Sequence, residues 1–124
     1  MSAGGALQAA LAPLLGALPG LSGLYDGPPP RAAFPYGAID CGQERDWSHK
    51  SGAGREVLVA LTLWDDQPAR LAALADAAEA LLTAPIEPDG WTLVSLRFLR
   101  RRTVRDVAGP WAAAIDFQAR LLAA

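Results

Sequence analysis

Cysteine, histidine and lysine are scarce in this 124-residue sequence, which contains only Cys41, His49 and Lys50 as single examples of each. A zinc site needs three or four ligands at recognised spacings, so these residues cannot form one. A single cysteine also excludes an intrachain disulfide, which fits a reducing compartment. Neither glycine-rich phosphate-binding pattern, GxGxxG or GxxxxGK[ST], occurs in the chain. The sequence therefore predicts no metal and no cofactor.

Signals for secretion and for membrane insertion are also missing. The apolar segment 5–24 contains no basic residue, and the first is Arg31, whereas a secretory signal starts with a basic region. Pro13 and Pro19 interrupt the same segment, which argues against a membrane span. We therefore expect no membrane among the partners of this protein.

Charge of one sign is not in large excess either. The formal net charge is −2, too close to neutral to indicate a nucleic-acid or acidic-substrate partner by itself. The length predicts a single domain covering residues 1–124. The hydrophobic fraction of 52% is slightly above the usual range for a soluble domain. Part of the excess is alanine, and the rest suggests apolar surface that other subunits cover.

The clearest pattern present is a strand, a helix and a second strand in the middle of the chain. Within residues 55–64, the odd positions from Val57 to Leu63 are all aliphatic, which predicts a strand with one buried face. Residues 67–82 carry leucines and alanines at helical spacing, and we expect Asp65 and Asp66 to cap this helix. After a Pro-Asp-Gly turn, residues 91–102 predict the second strand.

The remaining segments add one helix and three strands. Leucines at helical spacing predict a helix near the N-terminus, in which Pro13 is expected to cause a kink or an early break. Residues 24–27 and 34–42 read as strands, and residues 43–54 as a long polar loop. The last strand is predicted over residues 112–122, with Asp116, Gln118 and Arg120 on the face opposite to its apolar side chains.

These elements follow the order α-β-β-β-α-β-β. The order predicts an α+β fold in a single domain, with a mixed or antiparallel sheet of about four to five strands and two helices packed on one face. Three prolines at positions 28–30 separate the first two strands and are expected to be stiff and polyproline-like.

One segment resembles a reactive site at first sight. Cys41, Asp46, Ser48 and His49 could be drawn as a hydrolase or a metal cluster. A nucleophile needs an oriented base and an oxyanion hole, and His49 lies in a glycine-bounded polar segment with nothing to orient it. A solvated loop is the favoured interpretation, and we do not expect an enzyme. A small ligand-binding or enzymatic α+β domain stays as an alternative.

The sharpest charge feature is a cluster of five arginines within nine residues: Arg97, Arg100, Arg101, Arg102 and Arg105. Three interpretations compete. The cluster is a solvated strand end, or it reaches carboxylates on a neighbouring subunit, for which guanidinium groups are suited, or it contacts phosphate. The third is least favoured because the aromatic stacking pattern of nucleic-acid binders is missing. A nucleic-acid-binding adaptor therefore remains only an alternative.

The four tryptophans fall into two pairs. Trp64 and Trp91 flank the central helix and are expected to cover the ends of the core. Trp47, in the polar segment, and Trp111, after Gly109-Pro110, are harder to bury. Exposed tryptophans are favoured anchors of interfaces, so these two are candidates for a subunit contact.

In order and spacing, these segments resemble the small tail-completion (tail-terminator) proteins of long-tailed bacteriophages and phage-like gene transfer agents. The resemblance covers nearly the whole chain. It rests on the leucine-rich first helix and on Leu24-Tyr25-Asp26, Phe34-Pro35-Tyr36, Asp46-Trp47-Ser48, the strand ending Leu61-Thr62-Leu63-Trp64-Asp65, the helix ending Leu81-Leu82, Asp89-Gly90-Trp91, Arg105-Asp106 and Ile115-Asp116-Phe117.

The resemblance implies a structural virion protein with no enzymatic activity and no cofactor. Such a protein would assemble as a hexameric ring on the head-proximal end of the tail tube, terminate tail polymerisation and join the tail to the head. Its partners would be further copies of itself, the major tail tube protein and the head-tail connector, with DNA only passing through the channel.

A closed ring needs two different complementary patches on each subunit. The polar segment and the arginine cluster are the candidates for such patches. The candidate subunit or tube interface therefore comprises Trp47, His49, Arg97, Arg100, Arg101, Arg102, Arg105 and Trp111.

Overall fold

Two helices and five strands form an α+β domain in the order expected from the sequence. The computed structural model describes residues 1–27, 31–105, 107 and 109–124. The elements are α1 (Ala3–Gly16), β1 (Leu24–Tyr25), β2 (Tyr36–Asp46), β3 (Gly54–Asp65), α2 (Pro68–Leu81), β4 (Trp91–Arg105) and β5 (Trp111–Ala123). The expected polyproline run at 28–30 and Asp106 lie outside the described residues.

The five strands form one mixed sheet in the order β1-β2-β3-β5-β4. Only β1 is parallel to its neighbour, and the other three pairings are antiparallel. Helix α1 packs mainly on β2, whereas α2 packs on β3 and β5. The predicted sheet with two helices on one face is therefore confirmed.

The core lies between the helices and one face of the two central strands. In β3 the odd positions from Val57 to Leu63 are fully buried. The pairing of Leu61 with Ile115 places the odd positions of β5 beside them. Both rows therefore face α1 and α2, and we call this side of the sheet the helical face. The period-2 pattern of the sequence arises from this burial.

Helix α1 is continuous through Pro13, so the expected break does not occur. The Ser2 hydroxyl caps the helix by accepting a hydrogen bond from the Gly5 N–H at 3.0 Å. Leu7 and Leu11 are fully buried against the sheet, whereas Pro13 faces solvent. A proline removes one helical hydrogen bond. Here that loss falls near the end of the helix and on its solvent side, where water can replace the missing donor.

The start of α2 also differs from the prediction. The N-cap is Gln67, whose side chain makes no capping hydrogen bond, and Pro68 occupies the first turn. Asp65 is instead the last residue of β3 and is fully buried. Its carboxylate accepts two hydrogen bonds from the Arg70 guanidinium, both at 2.6 Å. Asp65 Oδ1 also accepts a hydrogen bond from the Gln67 N–H at 3.3 Å. Instead of capping the first turn, Asp65 therefore forms an ion pair in which its own carboxylate is buried and the Arg70 side chain is 44% exposed.

The predicted polar loop over residues 43–54 is much shorter in the structure. Strand β2 continues to Asp46 and β3 begins at Gly54, which leaves only residues 47–53 between them. Arg45 pairs with Glu56 in the ladder. The polar composition of this segment reflects exposure at the end of the sheet, because polar residues can form a ladder wherever their side chains reach water.

Within the described residues, no helix is long and apolar enough to cross a membrane.

Candidate functional site

One face of the sheet has no helix on it in the described part of the chain. It carries the even positions of β3 and β5 and the β4 residues that pair with them. We call this surface the open face. Its central side chains are nearly all small or apolar and are partly exposed: Leu58, Ala60, Thr62, Trp64, Ala112 and Ala114. A sheet face of this kind is a candidate for contact with another protein, because contiguous apolar surface is costly in water.

Aromatic side chains occupy one end of the open face. The Tyr36 ring stacks on Trp64 with a centroid distance of 5.1 Å, and Phe34 stacks on Tyr36 at 5.6 Å. Tyr25 meets Tyr36 edge-on at 6.5 Å. The expectation that Trp64 covers the core was wrong, because its even position in β3 turns it away from the helices. Trp91, by contrast, packs partly against the core as expected.

The open face carries more arginines than carboxylates. The register places five arginines on it, Arg45, Arg97, Arg100, Arg102 and Arg120, against three carboxylates, Asp40, Glu56 and Asp116. Arg100 Nε donates to Asp116 at 2.9 Å. Among the described residues, the ion pairs within 4.0 Å do not include Arg97 or Arg102. This face is therefore basic on a chain that is acidic overall.

Glu56 holds the strands of this face together. Its carboxylate accepts a hydrogen bond from Arg45 Nε at 2.6 Å and another from Arg120 Nε at 3.1 Å. Burial opposes ionisation of this group, but the hydrogen bonds from Arg120 and Arg45 outweigh it and lower the pKa of Glu56. The carboxylate is therefore charged at neutral pH and links β2, β3 and β5.

The arginine cluster of β4 is divided between the two faces of the sheet. Arg97, Arg100 and Arg102 pair with open-face positions of β5, whereas Arg101 pairs with Ile115 and lies on the helical face. Arg101 Nη1 donates to a carboxylate oxygen of Asp76 and one of Glu79 on α2, at 2.7 and 2.6 Å. These two carboxylates raise the pKa of Arg101. Arg101 therefore fastens the edge strand to α2.

The two candidate tryptophans lie at opposite ends of β5. Trp47 is half-buried, with the Arg120 guanidinium 5.3 Å from its ring centre and the His49 ring edge-on at 4.5 Å. Trp111 starts β5, packs partly against the core and has Arg105 5.6 Å from its ring centre. Arg120, which contacts Trp47, lies nine positions after Trp111 in β5, or roughly 30 Å along a strand. The structure does not bring the nominated residues into one cluster.

The geometry around Cys41 does not form a reactive site. The thiol is 1% exposed, and burial, with smaller effects of Asp40 and Glu44, raises its pKa to about 12. A thiol of this kind is not a nucleophile at neutral pH. His49 lies exposed in the turn, and the Ser48 hydroxyl donates to Asp46 at 2.6 Å. Within the described residues, no three metal-ligating side chains come together.

One exposed feature was missed by the sequence reasoning. Strand β4 forms an outer edge of the sheet and exposes four large apolar side chains: Val94, Phe98, Leu99 and Val104, with exposures of 51%, 47%, 43% and 43%. Register shifts in the pairing with β5 fall at Val94 and Leu99. The adjacent apolar residues Phe98 and Leu99 break strict alternation, which was the available signal that this strand is irregular.

Comparison with known proteins agrees with the resemblance seen in the sequence. The chain matches the family described as tail completion protein gp17 over residues 5–122. A chain of the solved structure "Virion of native gene transfer agent (GTA) particle" is similar in fold, with a TM-score of 0.80 and 28% identity. The match covers 95% of this chain and 96% of that chain. No curated protein sequence matches significantly. The chain belongs to the tail completion protein gp17 family and is a structural protein of a virion tail.

Proposed function

We propose that this protein closes the head-proximal end of the tail tube as a ring, stops tube polymerisation and joins the tail to the head-side connector. Membership of the tail completion family and the similarity to a gene transfer agent virion chain support this role. The observation that carries it is the open face, a broad apolar and basic surface on a rigid sheet. A structural ring protein needs such surfaces for its neighbours.

The ring would consist of six copies, as the resemblance to tail-terminator proteins implies. Each copy would contact further copies, the major tail tube protein and the connector, while DNA only passes through the channel. The mechanism is geometric: the core of β3, β5 and α2 fixes the shape of the subunit, and the exposed surfaces determine which neighbour binds where.

We also propose that the protein works without catalysis. Cys41 is buried and its raised pKa keeps it as a thiol, and His49 is exposed with its ring against Trp47. These observations argue against the alternative of a small enzymatic domain.

The candidate interface residues are proposed to act in different ways. Arg97, Arg100 and Arg102 would reach carboxylates of a neighbouring protein, and Trp47 with His49 would contribute an apolar contact at the turn end of the sheet. Three further candidates lie on the helical face or at its end and would act mainly by holding β4 and β5 in position: Arg101, Arg105 and Trp111.

Deletion of the gene in a strain that produces the particles tests the proposed function. Electron microscopy should show free heads beside tails that are aberrantly long or unattached, and a plasmid copy of the gene should restore joined particles. Joined particles with tails of normal length in the deletion strain would contradict the proposal.

Charge reversal tests the role of the arginines with a matched control. The double variant Arg97→Glu, Arg102→Glu should lower the fraction of joined particles while the purified variant unfolds at nearly the wild-type denaturant concentration. Arg55→Glu reverses one charge, as each of these two substitutions does, at an exposed position at the start of a central strand, and it should leave assembly unchanged; the single variants Arg97→Glu and Arg102→Glu are compared with it. Equal assembly by the double variant and the wild type would refute the role of these two side chains.

A further inference from the structure

Much of the backbone of strand β4 lacks a partner in the described part of the chain. The strand lies at the end of the sheet, and β5 is its one neighbour among the described strands. The described backbone hydrogen bonds outside helices and strand ladders do not involve residues 92–105. In a strand paired on one side, about every second residue points its N–H and C=O to the other side. These groups of β4 therefore remain available to a further strand.

One stretch of β4 is regular enough to accept another strand. Register shifts fall between Leu93 and Ser95 and between Phe98 and Arg100, and such bulges oppose strand addition. From Arg100 to Arg105, by contrast, each residue pairs with one residue of β5 without a shift. A stretch of about six residues is the usual length of a strand. We call the outer side of residues 100–105 the β4 edge.

Arginines dominate the open-face side of the β4 edge. Arg100, Arg102 and Val104 pair with open-face positions of β5 and are exposed. Arg100 Nε donates to Asp116, which lies directly opposite on β5, at 2.9 Å. For Arg102, the described ion pairs within 4.0 Å include no such carboxylate. A strand on the outer side of β4 would supply one if an aspartate or glutamate stood opposite Arg102.

The helical-face side of the same stretch calls for uncharged side chains. Arg101 is already paired with two carboxylates of α2, at 2.7 and 2.6 Å. Arg105 lies with its guanidinium 5.6 Å from the centre of the Trp111 ring. Thr103, between these two arginines, is exposed and uncharged. Since the side chains of a strand alternate between the two faces, the complementary segment carries carboxylates at every second position and uncharged residues between them.

Two copies of the β4 edge do not complement each other. The edge contains four arginines within its six residues, so two edges paired side by side would bring arginines of one copy close to those of the other. Like charges facing each other across paired strands are destabilising. The same arginines therefore oppose self-pairing and select a partner strand of opposite charge.

The other end of the sheet does not supply the partner strand from a second copy either. Strand β1 is only two residues long and covers the start of β2. Further along β2, the Cys41 N–H donates to Gln8 Oε1 of α1 at 3.1 Å. Beyond Cys41, the open-face positions of β2 hold Gln43 and Arg45, and neither is a carboxylate. The complementary segment is therefore expected on a different protein.

We propose that the β4 edge binds an extended segment of another virion protein as an additional strand, with an aspartate or glutamate at every second position of that segment. The inference rests on the proposed function, because the neighbours of a ring at the end of the tail are the proteins available to supply the segment. It states how Arg100 and Arg102 contact such a neighbour: backbone hydrogen bonds hold the strand, and charge pairs set its register.

Photo-cross-linking in intact particles identifies the segment. The photoreactive amino acid p-benzoylphenylalanine replaces Thr103, whose side chain is exposed on the β4 edge. Irradiation should link this chain to one other virion protein, and mass spectrometry of the linked peptide should show aspartate or glutamate at alternate positions. The same amino acid at Ala53, in the exposed turn between β2 and β3, should not label that segment.

A second position guards against a Thr103 variant that fails to assemble. Val104 is 43% exposed, and p-benzoylphenylalanine at that position should label the same segment. Joined particles in which both positions label only a second copy of this chain, DNA, or a segment without alternating carboxylates would overturn the proposal. Joined particles with no label from either position would overturn it as well.

The linked segment, made as a synthetic peptide, then tests the charge pairs on the purified protein. Arg102→Glu should weaken binding about fivefold, because it removes an attraction and adds a repulsion of similar size. Replacing the facing carboxylate of the peptide with lysine should restore the affinity for this variant. Arg55→Glu reverses one charge elsewhere on the chain and should bind the peptide as the wild type does. Equal binding by Arg102→Glu and the wild type would refute the charge pairing.

Backbone pairing is tested separately with N-methylated versions of the same peptide. The methyl groups are placed on every second amide, in one set or in the alternate set. The set that faces β4 should weaken binding by more than about tenfold, because it removes several backbone hydrogen bonds, whereas the other set should leave the affinity nearly unchanged. Equal effects of both sets would contradict an added strand.

Failure of this inference is distinguishable from failure of the proposed function. Joined particles with tails of normal length and no label at the β4 edge would refute the added strand and leave the ring cap standing. Joined particles of normal tail length that lack the protein altogether would refute the ring cap itself.

Discussion

Replacement of Gly4 by alanine tests how closely helix α1 approaches the backbone of β2. Alanine in place of a helical glycine normally stabilises a protein by roughly 0.5–1 kcal/mol. At Gly4 the sign should be reversed. The new Cβ would lie closer than 3.0 Å to the Cys41 carbonyl oxygen and 2.9 Å from a Glu44 carboxylate oxygen. Because the first of these atoms is a backbone oxygen of β2, which cannot swing aside as a flexible side chain can, α1 must move away from β2.

The expected cost follows from the contacts that such a movement would disturb. Overpacking of this kind costs about 1–3 kcal/mol. The hydrogen bond from the Cys41 N–H to Gln8 would also be lost or stretched, at about 1 kcal/mol. Set against the helical gain, Gly4→Ala should lower the free energy of unfolding by about 1–3 kcal/mol.

A matched control comes from the same helix. The nearest atom to a Cβ built on Gly16 is the Leu24 Cβ at 4.0 Å, an ordinary contact. Gly16→Ala should therefore raise the free energy of unfolding by up to about 1 kcal/mol. Urea unfolding followed by tryptophan fluorescence measures both variants. Equal stabilisation by Gly4→Ala and Gly16→Ala would refute the close approach of α1 to β2.

Three further predictions concern individual side chains. Arg70→Ala should lower stability by about 1–2 kcal/mol at pH 7, because it leaves the buried Asp65 carboxylate without its charged partner. Hydrogen bonds from Arg70 lower the pKa of Asp65 below its ordinary 3.8, so the stabilisation is present above that value and is lost as the pH falls below it. Unfolding curves at pH 7 and pH 3 should show the difference between variant and wild type shrinking, and a constant difference would contradict the ion pair. A thiol reagent at pH 8 should modify Cys41 at the rate of unfolding and no faster, whereas rapid modification of the folded protein would contradict its burial. Arg120→Ala should change the fluorescence of Trp47 and cost about 1 kcal/mol, and unchanged emission would contradict the contact between guanidinium and ring.

The fold could be predicted because burial determines the sequence pattern in the centre of the molecule. Val57 to Leu63 alternate since β3 has a helix on one side only, and the leucines of α2 recur at helical spacing for the same reason. These patterns gave the element order and the α+β class. Polar edge segments carry no such signal, so the sequence alone predicts a loop where β2 continues to Asp46.

The arrangement of the arginines could not be read from spacing alone. Arg97 and Arg100 are three residues apart yet share the open face, because the register shift between Phe98 and Arg100 adds one residue to β4. Arg101 therefore turns to the helical face and meets Asp76. A regular strand would have placed Arg97 and Arg101 on the same side, so only the structure separates the two groups.

The partner of Asp65 was also hidden from the sequence. An aspartate before a helix ordinarily caps the first turn, and the local sequence around Asp66 and Pro68 fits that reading. Asp65 is fully buried at the end of β3. An unpaired buried carboxylate costs more free energy than a missing helix cap, so pairing with a cation is favoured over capping. Arg70, one turn further on, supplies that partner.

The most direct measurement is an electron cryomicroscopy map of the head-proximal end of the tail in intact particles that contain this protein. We expect one ring of this chain between the last ring of tube protein and the connector, with no copies along the tube. Copies distributed along the tube, or located only at the distal end of the tail, would contradict the proposed role at the head-proximal end.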